Sequence, residues 1–99
     1  MDVHHTFKKM SPTEPIKTTS TAALEKLTKY NQGELNAMWV FSLDGENQVA
    51  SLHLKGPQFD FFGEASTEDM YGSIEKAVQK VEKQLKKHKE MLKDHIHRR

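Results

Sequence analysis

The sequence predicts an α+β fold, a two-layer sandwich of order β-α-β-β-β-α in which a four-stranded sheet carries two helices on one face. Three observations predict it. Leu35, Ala37, Trp39, Phe41 and Leu43 alternate strictly, and the hairpin signal Asp44-Gly45 follows them. Ile16, Ser20, Ala23, Leu27 and Tyr30 recur at four- and three-residue steps, which marks one face of a helix. A second and longer helical pattern joins Met70, Ile74, Ala77, Val78, Val81, Leu85, His88, Leu92 and Ile96.

The elements follow in order. Val3, His5 and Phe7 alternate with His4, Thr6 and Lys8, a short strand. An irregular stretch from Lys9 to Pro15 leads to the first helix. Ser11 reads as its N-cap, with Pro12 at the first helical position and Glu14 three residues on; Thr13 is the rival cap. Asn31-Gln32-Gly33 stops this helix. With Asp44-Gly45 as a two-residue loop, Trp39 faces Ala50, Ala37 faces Leu52 and Leu35 faces Leu54, so the apolar sets share a face. Gly56-Pro57 makes the next turn, which pairs Leu54 with Phe59 and Leu52 with Phe61. The core face is then Trp39, Phe41, Leu52, Leu54, Phe59 and Phe61. The other face holds Met38, Val40, Val49, His53, Asp60 and Phe62, with His53 and Asp60 as cross-strand neighbours. Ser66-Thr67-Glu68-Asp69 starts the last helix, which runs on the order of 28 residues, about 40 Å, and projects past a small sheet.

A chain of 99 residues makes one domain, expected over 1–99. Zero cysteines exclude a disulfide scaffold, a thiolate metal site and a cysteine nucleophile. The start, Met1-Asp2-Val3-His4-His5, has neither the basic region nor the apolar run of a secretory signal. No apolar stretch approaches the ~20 residues of a membrane span. A cytoplasmic protein with no membrane partner is expected.

The net charge of +1 conceals an uneven distribution. Residues 1–33 carry Lys8, Lys9, Lys17, Lys26 and Lys29 against Asp2, Glu14 and Glu25, or +2. Residues 34–69 carry Lys55 against Glu34, Asp44, Glu46, Asp60, Glu64, Glu68 and Asp69, or −6. Residues 70–99 carry seven Lys and two Arg against Glu75, Glu82, Glu90 and Asp94, or +5. In the last helix Lys76, Lys80, Lys83 and Lys87 form a stripe opposite the apolar face, and Lys86, Lys89 and Lys93 form a second stripe on its flank. Lysines at these steps stand ~5–6 Å apart and repel. A phosphate backbone relieves that repulsion, with counterion release as the driving force. The competing reading is a solvated helix laced by its own ion pairs; seven lysines outnumber four acids there, which favours a polyanion.

Other chemistry is weakly signalled. Of the aromatic residues only Phe62 and Tyr30 are expected to be exposed enough to stack on bases, so shape- and phosphate-reading is favoured over base readout. His88, His95 and His97, with His4 and His5, show no His-Glu-x-x-His spacing, so no metal and no cofactor are expected. No nucleophile elbow or Gly-rich phosphate loop is present. His53 beside Asp60 is the one pair on which a small enzyme could be built, and it requires a pocket; no small-molecule substrate and no enzymatic activity are expected.

The run Gly63-Glu64-Ala65-Ser66-Thr67-Glu68-Asp69-Met70-Tyr71-Gly72-Ser73-Ile74, followed by Lys80-Val81, Gln84-Leu85, Lys87 and Lys89, resembles the bacterial ribosome hibernation-promoting factor / ribosome-associated inhibitor family, also called the sigma-54 modulation protein family. The stretch Ala23 to Tyr30 and the hairpin also fit, so the resemblance spans nearly the whole chain. It implies a fold similar to double-stranded RNA-binding domains. It implies binding to the 30S ribosomal subunit and its 16S rRNA in the channel of the A and P sites, where the protein would block tRNA and mRNA and inhibit translation in the stress response and stationary phase. By the same resemblance the rRNA-binding residues are Lys26, Lys29, Lys80, Lys83, Lys86, Lys87 and Lys89. Lys8, Lys9, Lys76 and Lys93 are weaker candidates. The chain looks like a short form, monomeric off the ribosome and without a C-terminal dimerisation domain, that either inactivates single ribosomes or promotes ribosome dimers. The alternative is a generic double-stranded RNA-binding or protein-interaction module on the same fold.

Overall fold

The computed structural model describes residues 1–30 and 33–97, with side chains through residue 92. The order is β1 (Asp2–Phe7), α1 (Glu14–Ala23), α2 (Glu25–Thr28), β2 (Asn36–Asp44), β3 (Asn47–Gly56), β4 (Phe59–Thr67) and α3 (Met70–His97). The sheet order is β1-β2-β3-β4. β1 pairs parallel with β2, and the other two pairings are antiparallel. A parallel neighbour cannot be reached through a tight turn, so α1 and α2 form the crossover between β1 and β2. The helices cover one face of the sheet and the other face is open, the expected α+β sandwich.

Both hairpins sit two residues away from the expected register. Asp44 pairs with Asn47, so the loop is Gly45-Glu46, and Trp39 lies opposite Leu52 rather than Ala50. Gly45 has φ +61, and the only non-glycine residue with positive φ among those described is Lys9. Positive φ at the first loop position alone is the pattern of a II′ turn, for which glycine suits that position. The next loop is Pro57-Gln58, closed by Gly56 opposite Phe59, so Leu54 faces Phe61 and Leu52 faces Gly63. A two-residue shift preserves parity, and the apolar face therefore survives. Trp39, Phe41, Leu52 and Leu54 are completely buried, while Phe59 and Phe61 are partly buried against that core. Leu43, at the end of its strand, is 52% exposed.

The first helical region is broken. Thr13, not Ser11, is the N-cap: its hydroxyl accepts from the Ile16 N–H at 3.3 Å, and Pro15 sits in the first turn, where no backbone donor is missed. α1 ends at Ala23. The chain then tightens through Leu24 N–H to Thr21 O, Leu27 N–H to Leu24 O and Tyr30 N–H to Leu27 O, each a three-residue step. Thr18, Thr19 and Thr21 give α1 little intrinsic propensity. Burial of Ile16, Ser20, Leu24 and Leu27 holds the two pieces on the sheet. Asn31 and Gln32 of the expected stop lie outside the described residues.

β4 continues through Thr67, so the last helix starts at Met70 and not within Ser66-Thr67-Glu68-Asp69. Its cap is Asp69, whose carboxylate accepts from Tyr71 N–H at 3.4 Å and Gly72 N–H at 3.3 Å. α3 has 28 residues. Met70, Ile74, Ala77, Val78, Val81 and Leu85 are buried, whereas Met91 and Leu92 are 62% and 46% exposed. The helix therefore leaves the sheet after about residue 88, and the molecule measures 52 × 22 × 17 Å.

Candidate nucleic-acid interface

The lysines are presented by a helix fixed against the sheet at three points. At its start, buried Ser73 donates to the Gln48 carbonyl at 2.6 Å, and its hydroxyl lies 2.7 Å from that of Thr67. In the middle, Gly63 brings β4 under the helix: a Cβ there would stand 2.6 Å from the Ala77 carbonyl oxygen. Beyond it, the His88 ring packs on Phe59 at 5.6 Å and on Phe61 at 5.8 Å between centroids. Polar side chains then tie the helix to the edge of β4. Lys80 Nζ donates to Glu64 O at 2.6 Å and Gln84 Nε2 to Phe62 O at 2.8 Å.

This seating sends the basic residues to several separate places. Lys80, Lys83 and Lys87 line the groove between α3 and β4. That stripe thus flanks the sheet edge and is not opposite the apolar face, as a helical wheel alone suggests. A second group surrounds Tyr30. Its hydroxyl donates to Glu82 Oε2 at 3.2 Å, Lys29 Nζ sits 5.3 Å from its ring centroid, and Lys89 lines the same cleft. Burial, then the Glu82 carboxylate, pushes the Tyr30 hydroxyl pKa up, and the Lys86 charge opposes the shift. Lys26 projects into a third groove, between α1 and α3, beside Tyr71 and Glu75. Lys76 is exposed on α3. Lys8 and Lys9 follow β1 at the end of the sheet where Lys8 N–H meets Phe41 O. α3 begins at that end, so the structure does not bring these two together with Lys83 to Lys89. The side chain of Lys93, with those of His95 and His97, and all of Arg98 and Arg99, lie outside the described residues.

The lysine charges of α3 are not neutralised by described carboxylates, although Lys80 is tied to the Glu64 carbonyl. Among the described residues the ion pairs are Lys17–Glu14 at 3.8 Å and His53–Asp60. Lys76, Lys80, Lys83, Lys86, Lys87 and Lys89 are all exposed and make none. The arrangement offers two lysine rows, one on each flank of a rigid rod, suited to phosphates a helix width apart.

The remaining candidates do other things. His53 contacts Asp60 diagonally, since its direct partner is Phe62, and the pair stands on the open face of the sheet with Asp60 56% exposed. Phe62 is 53% exposed there, its ring edge-on to His53 at 6.2 Å. Tyr30 is half-buried rather than free. Among the described residues no three His, Cys, Asp or Glu side chains gather as metal ligands. No described helix is long and apolar enough to cross a membrane. Tyr71, 45% exposed, lines the same groove as Lys26, a placement that sequence reasoning passed over. Its signal was available: an aromatic in the first turn of a helix, off the apolar face.

The family model described as Sigma 54 modulation protein / S30EA ribosomal protein matches residues 3–93. The crystal structure of the Thermus thermophilus Protein Y N-terminal domain superposes with a TM-score of 0.83 at 28% identity, covering 89% of this chain and 99% of that one. A ribosomal subunit interface protein from Coxiella burnetii superposes with a TM-score of 0.80 at 19% identity, covering 90% and 98%, a likeness of fold alone. No curated protein sequence matches.

Proposed function

The chain belongs to the Sigma 54 modulation protein / S30EA ribosomal protein family, and from that premise we propose that it is a cytoplasmic, non-enzymatic ribosome hibernation factor. It binds the 30S subunit through 16S rRNA and occupies the channel of the A and P sites, so that tRNA and mRNA are excluded. It acts as a single ribosome-binding domain, one copy per ribosome. One observation carries this reading: the lysines of α3 from Lys76 to Lys89 face solvent without a described carboxylate partner. Such a row is stable beside a dense anion and repulsive without one.

Co-sedimentation with purified small subunits tests the proposal. With about six phosphate contacts, affinity falls roughly 10³-fold between 50 and 200 mM salt. Failure to co-sediment at low salt overturns it. Competition with free duplex RNA separates it from a generic double-stranded RNA module, which would bind both equally. Gradient profiles scored for a dimer peak decide whether ribosomes are paired or only inactivated.

A further inference from the structure

A cleft of about 240 Å³ lies between the end of α2, the start of β4 and the second half of α3. Phosphate contact alone makes no use of it. Tyr30, Phe59 and His88 supply rings to its walls, Leu85 and Leu92 supply aliphatic surface, and Lys89 stands at the rim. The rings are held in place before any ligand arrives. The Tyr30 hydroxyl is tied to Glu82, and His88 is wedged against Phe59 and Phe61, which themselves stack at 5.0 Å. Lys29 reaches the Tyr30 ring, and the charge of Lys86 bears on the same hydroxyl.

We propose that this cleft receives one unpaired base of an RNA strand, with the flanking phosphates held by Lys29, Lys86 and Lys89. Apolar walls alone would equally suit an aliphatic protein side chain. The surrounding charge decides between them: Lys89 lines the cleft, Lys29 Nζ stands 5.3 Å from the Tyr30 ring, and the Glu82 oxygen at that ring already accepts from the Tyr30 hydroxyl. Ring walls with a cationic rim are the recurring solution for single-stranded nucleic acid, because every base has a stacking face and every nucleotide a phosphate. The inference rests on the rRNA-binding reading and adds to it a place where the RNA must be unpaired.

The test titrates the full 99-residue chain with single-stranded hexaadenylate and with an abasic ribose-phosphate hexamer, followed by NMR. Hexaadenylate is expected to shift the signals of Tyr30, Phe59 and His88. The abasic strand is expected to shift only signals near the lysines and to bind about tenfold more weakly. Tyr30→Ala should weaken hexaadenylate binding about tenfold, while Tyr30→Phe retains it. Equal binding of the two strands, or no shift at the three rings, overturns the proposal and leaves a protein side chain as the occupant. Should Tyr30→Ala not fold, the shift map of the unaltered chain decides alone. Co-sedimentation with small subunits is read separately, so loss of the ribosome reading and loss of the base site are distinguishable.

Discussion

The ammonium of Lys80 meets the main-chain oxygen of Glu64 at 2.6 Å, joining the helix that presents the lysines to the free edge of the sheet. Gln84 repeats the contact one turn later, on Phe62 O. β4 is an edge strand, and unpaired carbonyls on such an edge invite pairing with other chains. Lys80 and Gln84 occupy two of them. Lys80 therefore has a structural task that Lys83 and Lys87, exposed in the same groove, do not share.

The expected outcome separates the three lysines. Lys80→Met lowers the urea midpoint, whereas Lys83→Met and Lys87→Met leave it in place. Reversing the latter two to Glu weakens binding to small subunits while circular dichroism stays unchanged. If either reversal unfolds the chain, those side chains are not free of the fold.

Gly63 sets the distance between α3 and the sheet. In Gly63→Ala the new methyl meets the Ala77 carbonyl oxygen at 2.6 Å, with Lys80 Cβ and Val81 Cγ2 both at 3.1 Å. The first of these is helix backbone and cannot rotate away, so the helix must lift. A loss of about 1–3 kcal/mol is expected, as for other overpacked sites, measured by urea unfolding. Gly72→Ala is the control, because its nearest neighbour would be at 3.5 Å.

These constraints show what the sequence could and could not carry. Trp39, Phe41, Leu52 and Leu54 were legible as core because alternation has a period of two. The same periodicity cannot tell a register from one shifted by two residues. Only the turn settles that, and the positive φ of Gly45 belongs to the first loop position here, not the second. The break at Leu24 is foreshadowed by Thr18, Thr19 and Thr21, but the apolar spacing from Ile16 to Tyr30 runs straight across it. The lysine stripe was legible as a stripe. Its flank was not, because a helical wheel does not know on which side the edge strand passes.

Ser73 offers a sharper stability test than any surface charge. It is fully buried, and its hydroxyl donates to the Gln48 carbonyl, linking the first turn of α3 to the start of β3. Ser73→Ala removes that side-chain hydrogen bond, a loss of about 0.5–1.5 kcal/mol. Asp69→Ala removes the cap a turn earlier and should cost about 0.5–2 kcal/mol. Shared contacts at this corner predict that the double variant loses less or more than the simple sum; thermal unfolding of all three reads the coupling.

His5 should make stability depend on pH in one direction. Its Nε2 lies 3.0 Å from Ser20 Oγ and 3.3 Å from Thr21 Oγ1. Ser20 donates its own proton to the Lys17 carbonyl at 3.1 Å, so it accepts from the imidazole N–H. The ring also stacks on Phe41 at 6.2 Å. Burial first, then the Lys17 charge, holds the His5 pKa below its ordinary value of 6.5; Glu14 pulls the other way and His4 adds to the depression. In the unfolded chain the ring protonates near 6.5. Between that point and the lower folded value the unfolded state binds more protons, so stability rises with pH there. The contribution is complete above about pH 6.5 and is lost as pH falls toward the folded pKa. Urea midpoints at pH 7.5 and 5.5 should therefore differ more for the natural chain than for His5→Asn, which keeps a hydrogen-bonding side chain but cannot titrate. The other histidines are common to both proteins and cancel in the comparison. An equal pH dependence of the two would mean that His5 is as easily protonated folded as unfolded, and that its link between β1 and α1 survives the charge.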